Sequence, residues 1–249
     1  MYKVTNQDNL TRLEMDKQRV LLKISGESLG GGSLPYDRDR LAFIGEEIVA
    51  VSRTHELAIV VGGGNIVRGV TLKKDVFRRD TIVADWMGMQ ATIMNALALQ
   101  EFLEKDYGLD TRVLSALEVN KVCEPYVVRK ALSHLRKDRI VILAGGIGAP
   151  NFSTDTTMVQ RASELDTQLV VKGTKVDGVY DKDPNLDNDA KLLSDVGYME
   201  YLNRKLKIVD ATAVTQAMNH GIEIRIFNFF TKGNLRRVLT QKDIGSVIH

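Results

Sequence analysis

Lys23 is the residue whose type and position most directly suggest chemistry. It lies near the end of an apolar run, residues 20–24, that is typical of a strand covered on both faces. An unpaired ammonium group is costly in such a place. A phosphate is a fitting partner, because lysine presents a compact positive charge to a transferring phosphoryl group. A lysine that reaches solvent or pairs with a carboxylate explains the same position, and spacing alone leaves both interpretations open.

Three glycine clusters follow apolar runs, at Ser25-Gly26, Gly62-Gly63-Gly64-Asn65 and Gly145-Gly146-Ile147-Gly148. Glycine lets the backbone turn sharply and present N–H groups to an anion. A single cluster is more often just a tight turn between a strand and a helix. Three clusters at corresponding strand ends favour phosphate binding.

Two charged residues near these turns could contact a phosphate. Arg68 lies one helical turn after Asn65, where a helix N-terminus would meet an anion, although a solvated helix charge fits equally well. Asp155 closes the run Ser153-Thr154-Asp155 before a helical pattern over residues 158–165. Taken alone, this aspartate is more typical of a helix cap than of a catalyst.

Three further features are ambiguous by themselves. Asp85 and Asp210 fall within amphipathic stretches and carry no separate signal. The segment 172–184 is polar, rich in turns and ends at a proline. It could be an ordinary surface loop or a loop that grips a nucleotide.

The common nucleotide motifs are absent from the sequence. Neither the P-loop pattern G-x-x-x-x-G-K-[ST] nor the dinucleotide pattern G-x-G-x-x-G occurs. Residues 26–30, centred on Ser28, do match the nucleophile-elbow pattern G-x-S-x-G. An elbow needs a helix directly after its serine, whereas more glycines and Pro35 follow here, and only His134 and His220 could serve as partners. The context therefore disfavours a serine hydrolase.

The composition excludes several classes of protein. Lys and Arg total 34 against 32 Asp and Glu, so no net charge points to nucleic acid or to a membrane surface. The single cysteine, Cys123, excludes an intrachain disulfide, and the four histidines are too scattered for a zinc site. No apolar run approaches the ~20 residues that cross a bilayer. We expect a cytoplasmic protein without nucleic-acid or membrane partners.

Short apolar runs alternate with longer helical patterns along most of the chain. Strands are predicted at residues 20–24, 57–61, 112–114, 140–144, 168–171 and 222–227. Helices are predicted over residues 37–53 and 81–105, the second ending near Gly108. This order predicts an α/β fold with a mostly parallel sheet, in which ligands bind beyond the carboxyl ends of the strands.

The chain is expected to contain one domain. Residues 1–18 are polar and include acids, which fits neither a secretory signal nor a transit peptide, so we expect a poorly ordered leader there. No later stretch has the composition of a linker. A single domain is therefore predicted over residues 19–249.

Several signatures occur in a recognisable order over nearly the whole chain after the leader. They are residues 22–27 (L-K-I-S-G-E), 61–69, 85–89 (D-W-M-G-M), 152–155 (F-S-T-D), 172–184, Asp210 and 224–228 (I-R-I-F-N). This combination resembles the amino acid kinase family, most closely its bacterial uridylate kinase branch. The D-x-M-G-M and K-x-T-K-V-D-G-V-Y/F-x-x-D-P segments are the most specific to that branch.

The resemblance implies a three-layer αβα sandwich with a mostly parallel central sheet. It implies transfer of the γ-phosphoryl group of ATP to UMP, giving UDP and ADP in pyrimidine nucleotide biosynthesis, with Mg²⁺ accompanying ATP. It also implies a cytoplasmic homohexamer. Because the acceptor is already an anionic phosphate, no strong general base is needed, and catalysis by alignment and charge neutralisation is expected.

The resemblance also assigns roles to individual residues. Those implied to bind ATP are Lys23, Ser25, Gly26, Gly64, Arg68, Thr174, Tyr180 and Asp183. Those implied to bind UMP are Gly63, Asp85, Ile147, Gly148, Phe152, Ser153 and Thr154. Those implied to be catalytic are Lys23, Arg68, Asp155 and Asp210. The two aspartates of this last set would organise the charged centre and the metal, whose ligands the sequence does not identify.

The sequence departs from the branch at two places. Uridylate kinases commonly have A-G-T-G-N-P where this chain has Ile147 and Ala149 in place of the two polar residues. The residue after Asp85, often histidine in the branch, is Trp86. Recognition of uracil is then expected to come from Thr154, backbone groups and shape.

Two alternatives to a UMP kinase remain at this stage. Another amino acid kinase could act on a carboxylate or a carbamate, against which the Asp85 segment argues. A non-catalytic nucleotide- or anion-binding relative is the second, and the presence of Lys23, Asp155 and Asp210 together disfavours it. Binding alone does not require all three.

Overall fold

The computed structural model of the protein describes residues 17–31, 34–79, 81–241 and 244–249. Its strands are β1 (Gln18–Ile24), β2 (His55–Val61), β3 (Thr111–Ser115), β4 (Glu124–Pro125), β5 (Ile140–Ala144), β6 (Leu169–Thr174), β7 (Val179–Tyr180), β8 (Leu192–Leu193), β9 (Asp195–Val196), β10 (Glu223–Asn228) and β11 (Ser246–Ile248). Its helices are α1 (Arg38–Ser52), α2 (Gly69–Thr71), α3 (Ile82–Tyr107), α4 (Val128–Leu135), α5 (Thr154–Glu164), α6 (Tyr198–Asn203), α7 (Ala211–His220) and α8 (Asn234–Thr240). A 3₁₀ turn lies at Gly26–Ser28 and a π-helical turn at Leu72–Val76.

Nine of the described strands form one sheet, in the order β4-β3-β5-β2-β1-β6-β10-β11-β9. Neighbouring strands from β4 to β10 are parallel, and β11 runs antiparallel to β10. Strand β1 pairs with β2, the next strand along the chain, on one side and with β6 on its other side. The carboxyl ends of β1, β2 and β6 therefore flank the place where the strand order reverses, and ligands bind at such places in open α/β sheets.

Helices cover both faces of this sheet. Along β1, Val20, Leu22 and Ile24 pack into one core cluster with residues of α1, α3 and α8. Leu21 points to the other face, into a second cluster with residues of α4, α5 and α7. The predicted three-layer αβα sandwich with a mostly parallel sheet is confirmed. Lys23 and Lys172 lie on the second face, because side chains alternate along a strand.

The predicted strands are present, with some different ends. Residues 20–24, 57–61 and 140–144 lie in β1, β2 and β5, and β3 extends the prediction by one residue at each end. The predictions of 168–171 and 222–227 stopped too early, because β6 ends at Thr174 and β10 at Asn228. The two strands stay paired through their polar ends, Asn228 opposite Thr174, so ladder hydrogen bonds extend them past the apolar run.

Local capping explains the ends of the two predicted helices. Asp37 caps α1 by accepting a hydrogen bond from the N–H of Arg40 at 3.0 Å. Thr81 caps α3, and Gly108 ends it in the left-handed region at φ +66°. The sequence set no bounds for α4, α6, α7 and α8, and it missed the antiparallel β11, whose pairing depends on a segment distant in sequence.

The predicted leader lies mostly outside the described residues, which begin at residue 17. The last two residues of the expected leader are described: Gln18 is the first residue of β1, and Lys17 Nζ lies 2.6 Å from Asp138 Oδ1. Among the described helices, none combines the length and the apolar character that crossing a bilayer requires.

Candidate active site

Two buried lysines lie opposite each other on neighbouring strands near the carboxyl end of the sheet. Lys23 of β1 is the register partner of Lys172 of β6, and the two residues are 8% and 7% exposed. Like charges directly opposite on adjacent strands repel each other. The pair therefore requires an anion between the two ammonium groups.

Asp155 supplies that anion within the protein. Its Oδ2 accepts a hydrogen bond from Lys172 Nζ at 2.5 Å, and its Oδ1 lies 3.3 Å from Lys23 Nζ. Burial would raise the pKa of Asp155, but the two ammonium groups outweigh it and hold this pKa below its usual value. Asp155 is therefore a carboxylate that neutralises one of the two positive charges.

The remaining positive charge is available to a ligand. Burial lowers the pKa of Lys172 to about 8, although Asp155 opposes the change. Lys172 Nζ also donates to the carbonyl oxygen of Ile208. The centre thus carries one net positive charge, fixed in a poorly hydrated place, where it would interact strongly with a transferring phosphoryl group.

The N-terminus of α5 holds Asp155 in place. Ser153 is the cap of this helix, and its hydroxyl oxygen accepts hydrogen bonds from the N–H groups of Asp155 at 2.9 Å and Thr156 at 3.2 Å. The interpretation of Asp155 as a helix cap is therefore wrong for its side chain, which turns to the lysines. Capping by Ser153 leaves the aspartate free for that role.

Asp210 links α5 to α7. It is the cap of α7, accepting from the N–H of Ala213 at 2.8 Å, and not a residue within the helix. The hydroxyl groups of Ser153 and Thr156 both donate to its carboxylate. The two helix N-termini that face the site are thereby tied together, and their dipoles favour an anion nearby.

The first two glycine clusters are in direct contact. A Cβ built on Gly26 would lie 2.5 Å from the carbonyl oxygen of Gly62 and 2.8 Å from the nitrogen of Gly64, so only glycine fits there. Asn95, fully buried on α3, fixes the second turn by donating to Gly62 O and Asn65 Oδ1, both at 2.6 Å. The turns that follow β1 and β2 therefore pack directly against each other at the carboxyl ends of these strands.

Arg68 does not stand free beside these turns. Its Nη2 lies 2.5 Å from Glu27 Oε1, and Lys175 Nζ lies 3.0 Å from Glu27 Oε2. The hydrogen bond from Lys175 and the nearby charges of Arg68 and Lys23 lower the pKa of Glu27. Glu27 therefore holds two cations at the edge of the site.

A cavity of about 160 Å³ lies between α3 and the third glycine cluster. Four of the residues implied to bind UMP line it, namely Gly63, Asp85, Phe152 and Thr154. Ile147, Gly148 and Ser153 do not line this cavity, whereas Gly146 and Ala149 of the same loop do. We call this space the acceptor cavity.

Asp85 is already engaged in the acceptor cavity. Its carboxylate lies 3.1 Å from Lys73 Nζ, and it accepts a hydrogen bond from the N–H of Asn151 at 3.0 Å. Lys73 lies on the π-helical turn, in which no residue is buried. A ligand hydroxyl that binds Asp85 therefore has to share or displace this ammonium group.

A second cavity of about 530 Å³ is lined in part by Ile208, whose carbonyl oxygen accepts a hydrogen bond from Lys172 Nζ. Tyr180 and Asp183, two of the residues implied to bind ATP, both line it. Thr174 does not line it, and its hydroxyl donates instead to the carbonyl oxygens of Val176 at 2.6 Å and Phe227 at 3.2 Å. We call this space the donor cavity.

Ser28, the centre of the elbow pattern, is 3% exposed and lies inside the short 3₁₀ turn. His134, one of its two candidate partners, is engaged on α4 with Glu124 and Arg139. A nucleophile has to be reachable by its substrate, so the geometry gives the hydrolase interpretation no support.

Motifs and spacing indicate no individual role for Lys172, Glu27, Lys73 or Asn95. A signal existed for Lys172, because a lysine in a strand covered on both faces repeats the feature that singled out Lys23. The other three act through partners far away in the chain, which spacing does not reveal.

The donor set at the site suits a magnesium ion that arrives with a phosphate ligand. Mg²⁺ prefers oxygen and commonly uses one or two carboxylates together with phosphates and waters. The described residues contain no group of three or more His, Cys, Asp and Glu side chains arranged to hold a metal. Asp210 forms no ion pair within the described part of the chain, so its carboxylate can contribute to a metal.

Comparison with known proteins decides the family. The family model described as the amino acid kinase family matches residues 18–228, which include β1, β2, β5, β6 and β10. The chain belongs to the amino acid kinase family. The expectation from the sequence signatures is confirmed at this level.

Relatives with a name or a solved structure narrow the assignment. A uridylate kinase of Mycobacterium sp. (strain KMS) is 43% identical over 231 residues, covering 92% of this chain and 90% of that protein. The crystal structure of UMP kinase from Bacillus anthracis aligns with a TM-score of 0.88 and 33% identity, over 93% of this chain and 96% of that one. UMP kinase from Ureaplasma parvum aligns with a TM-score of 0.86 and 33% identity, over 94% and 99%. The uridylate kinase branch is therefore confirmed as the one this chain resembles.

The depressed pKa of Lys172 predicts that ATP affinity depends on pH. The Kd for ATP should rise roughly tenfold or more as the pH increases through about 8, because Lys172 then loses its charge. Lys172→Arg keeps a positive charge throughout this range, so its Kd should stay nearly constant. Isothermal titration calorimetry on both proteins at several pH values measures the effect. An equally steep rise in the arginine variant would contradict the assignment to Lys172.

Proposed function

We propose that this protein transfers the γ-phosphoryl group of ATP to UMP, giving UDP and ADP in pyrimidine nucleotide biosynthesis. The observation that carries the proposal is the buried Lys23–Asp155–Lys172 centre near the carboxyl end of the sheet. One cavity reaches it through Thr154, the neighbour of Asp155, and a second through Ile208, whose carbonyl oxygen accepts from Lys172. The named relatives support UMP as the acceptor.

ATP is assigned to the donor cavity and the glycine turns. Tyr180 and Asp183 would hold the adenosine end, with Thr174 shaping the wall from behind. The phosphates would lie along Ser25, Gly26 and Gly64, where the backbone turns are close enough to donate N–H groups. Lys23 would neutralise charge on the transferring group, and Arg68 would leave Glu27 to do the same.

UMP is assigned to the acceptor cavity. Asp85 would accept hydrogen bonds from the ribose hydroxyls. Gly63 would present its backbone to the acceptor from a turn that packs closely on α3, where a Cβ would lie 2.8 Å from the carbonyl oxygen of Gly88. Phe152, Ser153 and Thr154 would bind along the start of α5, and Ile147 and Gly148 through the third glycine cluster. Ser153 would act mainly by positioning Asp155 and Asp210.

The chemistry needs positioning more than proton transfer. The phosphate of UMP is a nucleophile at neutral pH, so alignment and neutralisation of charge carry the reaction. Mg²⁺ bound with ATP would supply further charge neutralisation, and Asp210 would contribute a carboxylate to hold it. Lys23, Lys172 and Arg68 would hold the phosphates in line, and Asp155 would keep the two lysines at a fixed separation.

We also propose one domain over residues 19–249, located in the cytoplasm and assembled as a homohexamer. The support for self-association is an apolar stripe on α3 formed by Val83, Met87 and Met94, which are 49%, 37% and 52% exposed. These residues lie on one side of a helix. An apolar stripe of this size on a surface helix is typical of a protein–protein contact.

A panel of acceptors tests the activity itself. ADP formation from ATP should be fast with UMP and slow or undetectable with acetylglutamate, glutamate and carbamate. None of these three compounds has ribose hydroxyls from which Asp85 could accept hydrogen bonds. Coupled measurement of ADP at equal acceptor concentrations decides between the two functions. A faster rate with any of the last three would contradict the proposal.

Within the same assay, Asp85→Asn should raise the KM for UMP roughly 10- to 150-fold and leave the KM for ATP nearly unchanged. A hydrogen bond to a charged group contributes about 1.5–3 kcal/mol. Asp106→Asn is a matched control, because Asp106 lies near the other end of the same helix and pairs there with Arg38 of α1. A raised KM for ATP with an unchanged KM for UMP would indicate that ATP, and not UMP, binds beside Asp85.

Self-association has its own test. Met94→Glu should lower the mass of the assembly measured by sedimentation velocity, because a charge in an apolar contact is costly. Met199→Glu is the matched control, as Met199 is 56% exposed on α6, away from the stripe. A monomeric parent protein, or an unchanged mass for Met94→Glu, would rule out assembly through α3.

A further inference from the structure

The third glycine cluster borders the acceptor cavity, but it lacks the two polar side chains that uridylate kinases commonly have at this place. Ile147 and Ala149 are apolar, so any directional contact from this loop has to come from its backbone. The N–H of Ile147 donates no hydrogen bond within the described residues. It is therefore a free donor beside a cavity that Gly146 lines.

A buried arginine holds the peptide that carries this N–H. Arg161 of α5 is 5% exposed, and its Nη2 donates to the carbonyl oxygen of Gly146 at 3.0 Å. Its Nη1 lies 2.6 Å from Glu164 Oε2, and its guanidinium carbon lies 3.9 Å from the ring centre of Tyr126. The hydroxyl of Tyr126 donates to the same Glu164 oxygen at 2.6 Å.

The planar peptide links the arginine to the free donor. All described peptide bonds are trans, so the carbonyl of Gly146 and the N–H of Ile147 point in opposite directions. Because the carbonyl points toward Arg161 and the body of α5, the N–H points away from them. Gly146 has φ +60°, and glycine adopts both signs of φ easily, so this peptide can rotate at low cost without a tether.

We propose that Arg161 is a positioning residue for acceptor recognition. It fixes the Gly146–Ile147 peptide so that the N–H of Ile147 donates to a carbonyl oxygen of the pyrimidine base. The nucleobase is thereby recognised through the backbone, in place of the side chains that Ile147 and Ala149 lack. This inference rests on the proposed function, because it takes the acceptor cavity to be the UMP site.

The charge and burial of Arg161 fit this role better than a purely structural one. A buried guanidinium needs a carboxylate and further acceptors, and Glu164 and Gly146 provide them. Gln160 Nε2 also donates a hydrogen bond to Glu164 Oε1 at 2.7 Å. Burial acts to raise the pKa of Glu164, but hydrogen bonds from Tyr126, Gln160 and Arg161 lower it below its usual value. The network thus ends on one loop carbonyl, the only part of it that reaches the acceptor cavity within the described residues.

The test compares Arg161→Lys with a matched control. Lysine keeps the charge but cannot donate to Gly146 and Glu164 together from a planar fork. Arg225 of β10 likewise pairs with a carboxylate and a carbonyl oxygen, Glu223 Oε1 at 2.6 Å and Val238 O at 2.6 Å, and it lines neither cavity. Arg225→Lys should therefore lose similar stability without changing acceptor binding.

The expected result is a KM for UMP raised about 3- to 10-fold in Arg161→Lys, the size of one net hydrogen bond. The KM for ATP should stay within about twofold of the parent value, and Arg225→Lys should change neither constant. An unchanged KM for UMP in folded Arg161→Lys overturns the inference, as does an equal rise in both KM values, which would indicate a general loss of structure around Asp155.

Amide NMR supplies a second readout if Arg161→Lys does not fold. Saturating UMP should shift the Ile147 amide proton of the parent protein downfield, and Tyr126→Phe, which removes only the bond to Glu164, should reduce that shift. An Ile147 amide that UMP leaves unmoved, while other cavity residues respond, overturns the inference. A parent protein that binds no UMP at all contradicts the proposed function instead.

Discussion

Two lysines in register on adjacent parallel strands, both buried, are the constraint on which the site depends. Lys23 and Lys172 repel each other, and neither can be solvated at 8% and 7% exposure. Asp155 removes only part of this cost, because one carboxylate lies between two ammonium groups. The folded protein therefore keeps an unsatisfied positive charge near the carboxyl end of its sheet, which suits an anionic ligand such as a phosphoryl group.

The surrounding elements can be understood as supports of that centre. Ser153 caps α5 and so frees Asp155 to face the lysines, while Asp210 caps α7 and accepts a hydrogen bond from Ser153. Thr154, next to Asp155, lines the acceptor cavity, and Ile208, which accepts a hydrogen bond from Lys172, lines the donor cavity. Moving α5 by a small distance would disturb all of these contacts together, because one capped N-terminus carries them.

Much of this arrangement could be predicted from the sequence, because it is encoded locally. The strands over residues 20–24 and 57–61, the end of α3 at Gly108 and the glycine clusters all depend on neighbouring residues. Contacts between segments that are not neighbours in a motif could not be predicted, and the ion pair of Lys73 with Asp85 is an example. The same limit applies to the ends of β6 and β10, which a neighbouring strand extends beyond their apolar runs. Family resemblance supplied most of the roles, and geometry corrected the capping role of Asp155.

The most direct test of the lysine centre is a single-turnover measurement on Lys23→Ala with ATP and UMP, together with the Kd for ATP. Charge builds up on the transferring group in the transition state, so removal of a preorganised cation costs the rate far more than it costs ground-state binding. We expect the rate of phosphoryl transfer to fall roughly 10²- to 10³-fold, with a much smaller change in the Kd. A variant that transfers the phosphoryl group at a nearly normal rate would contradict the account.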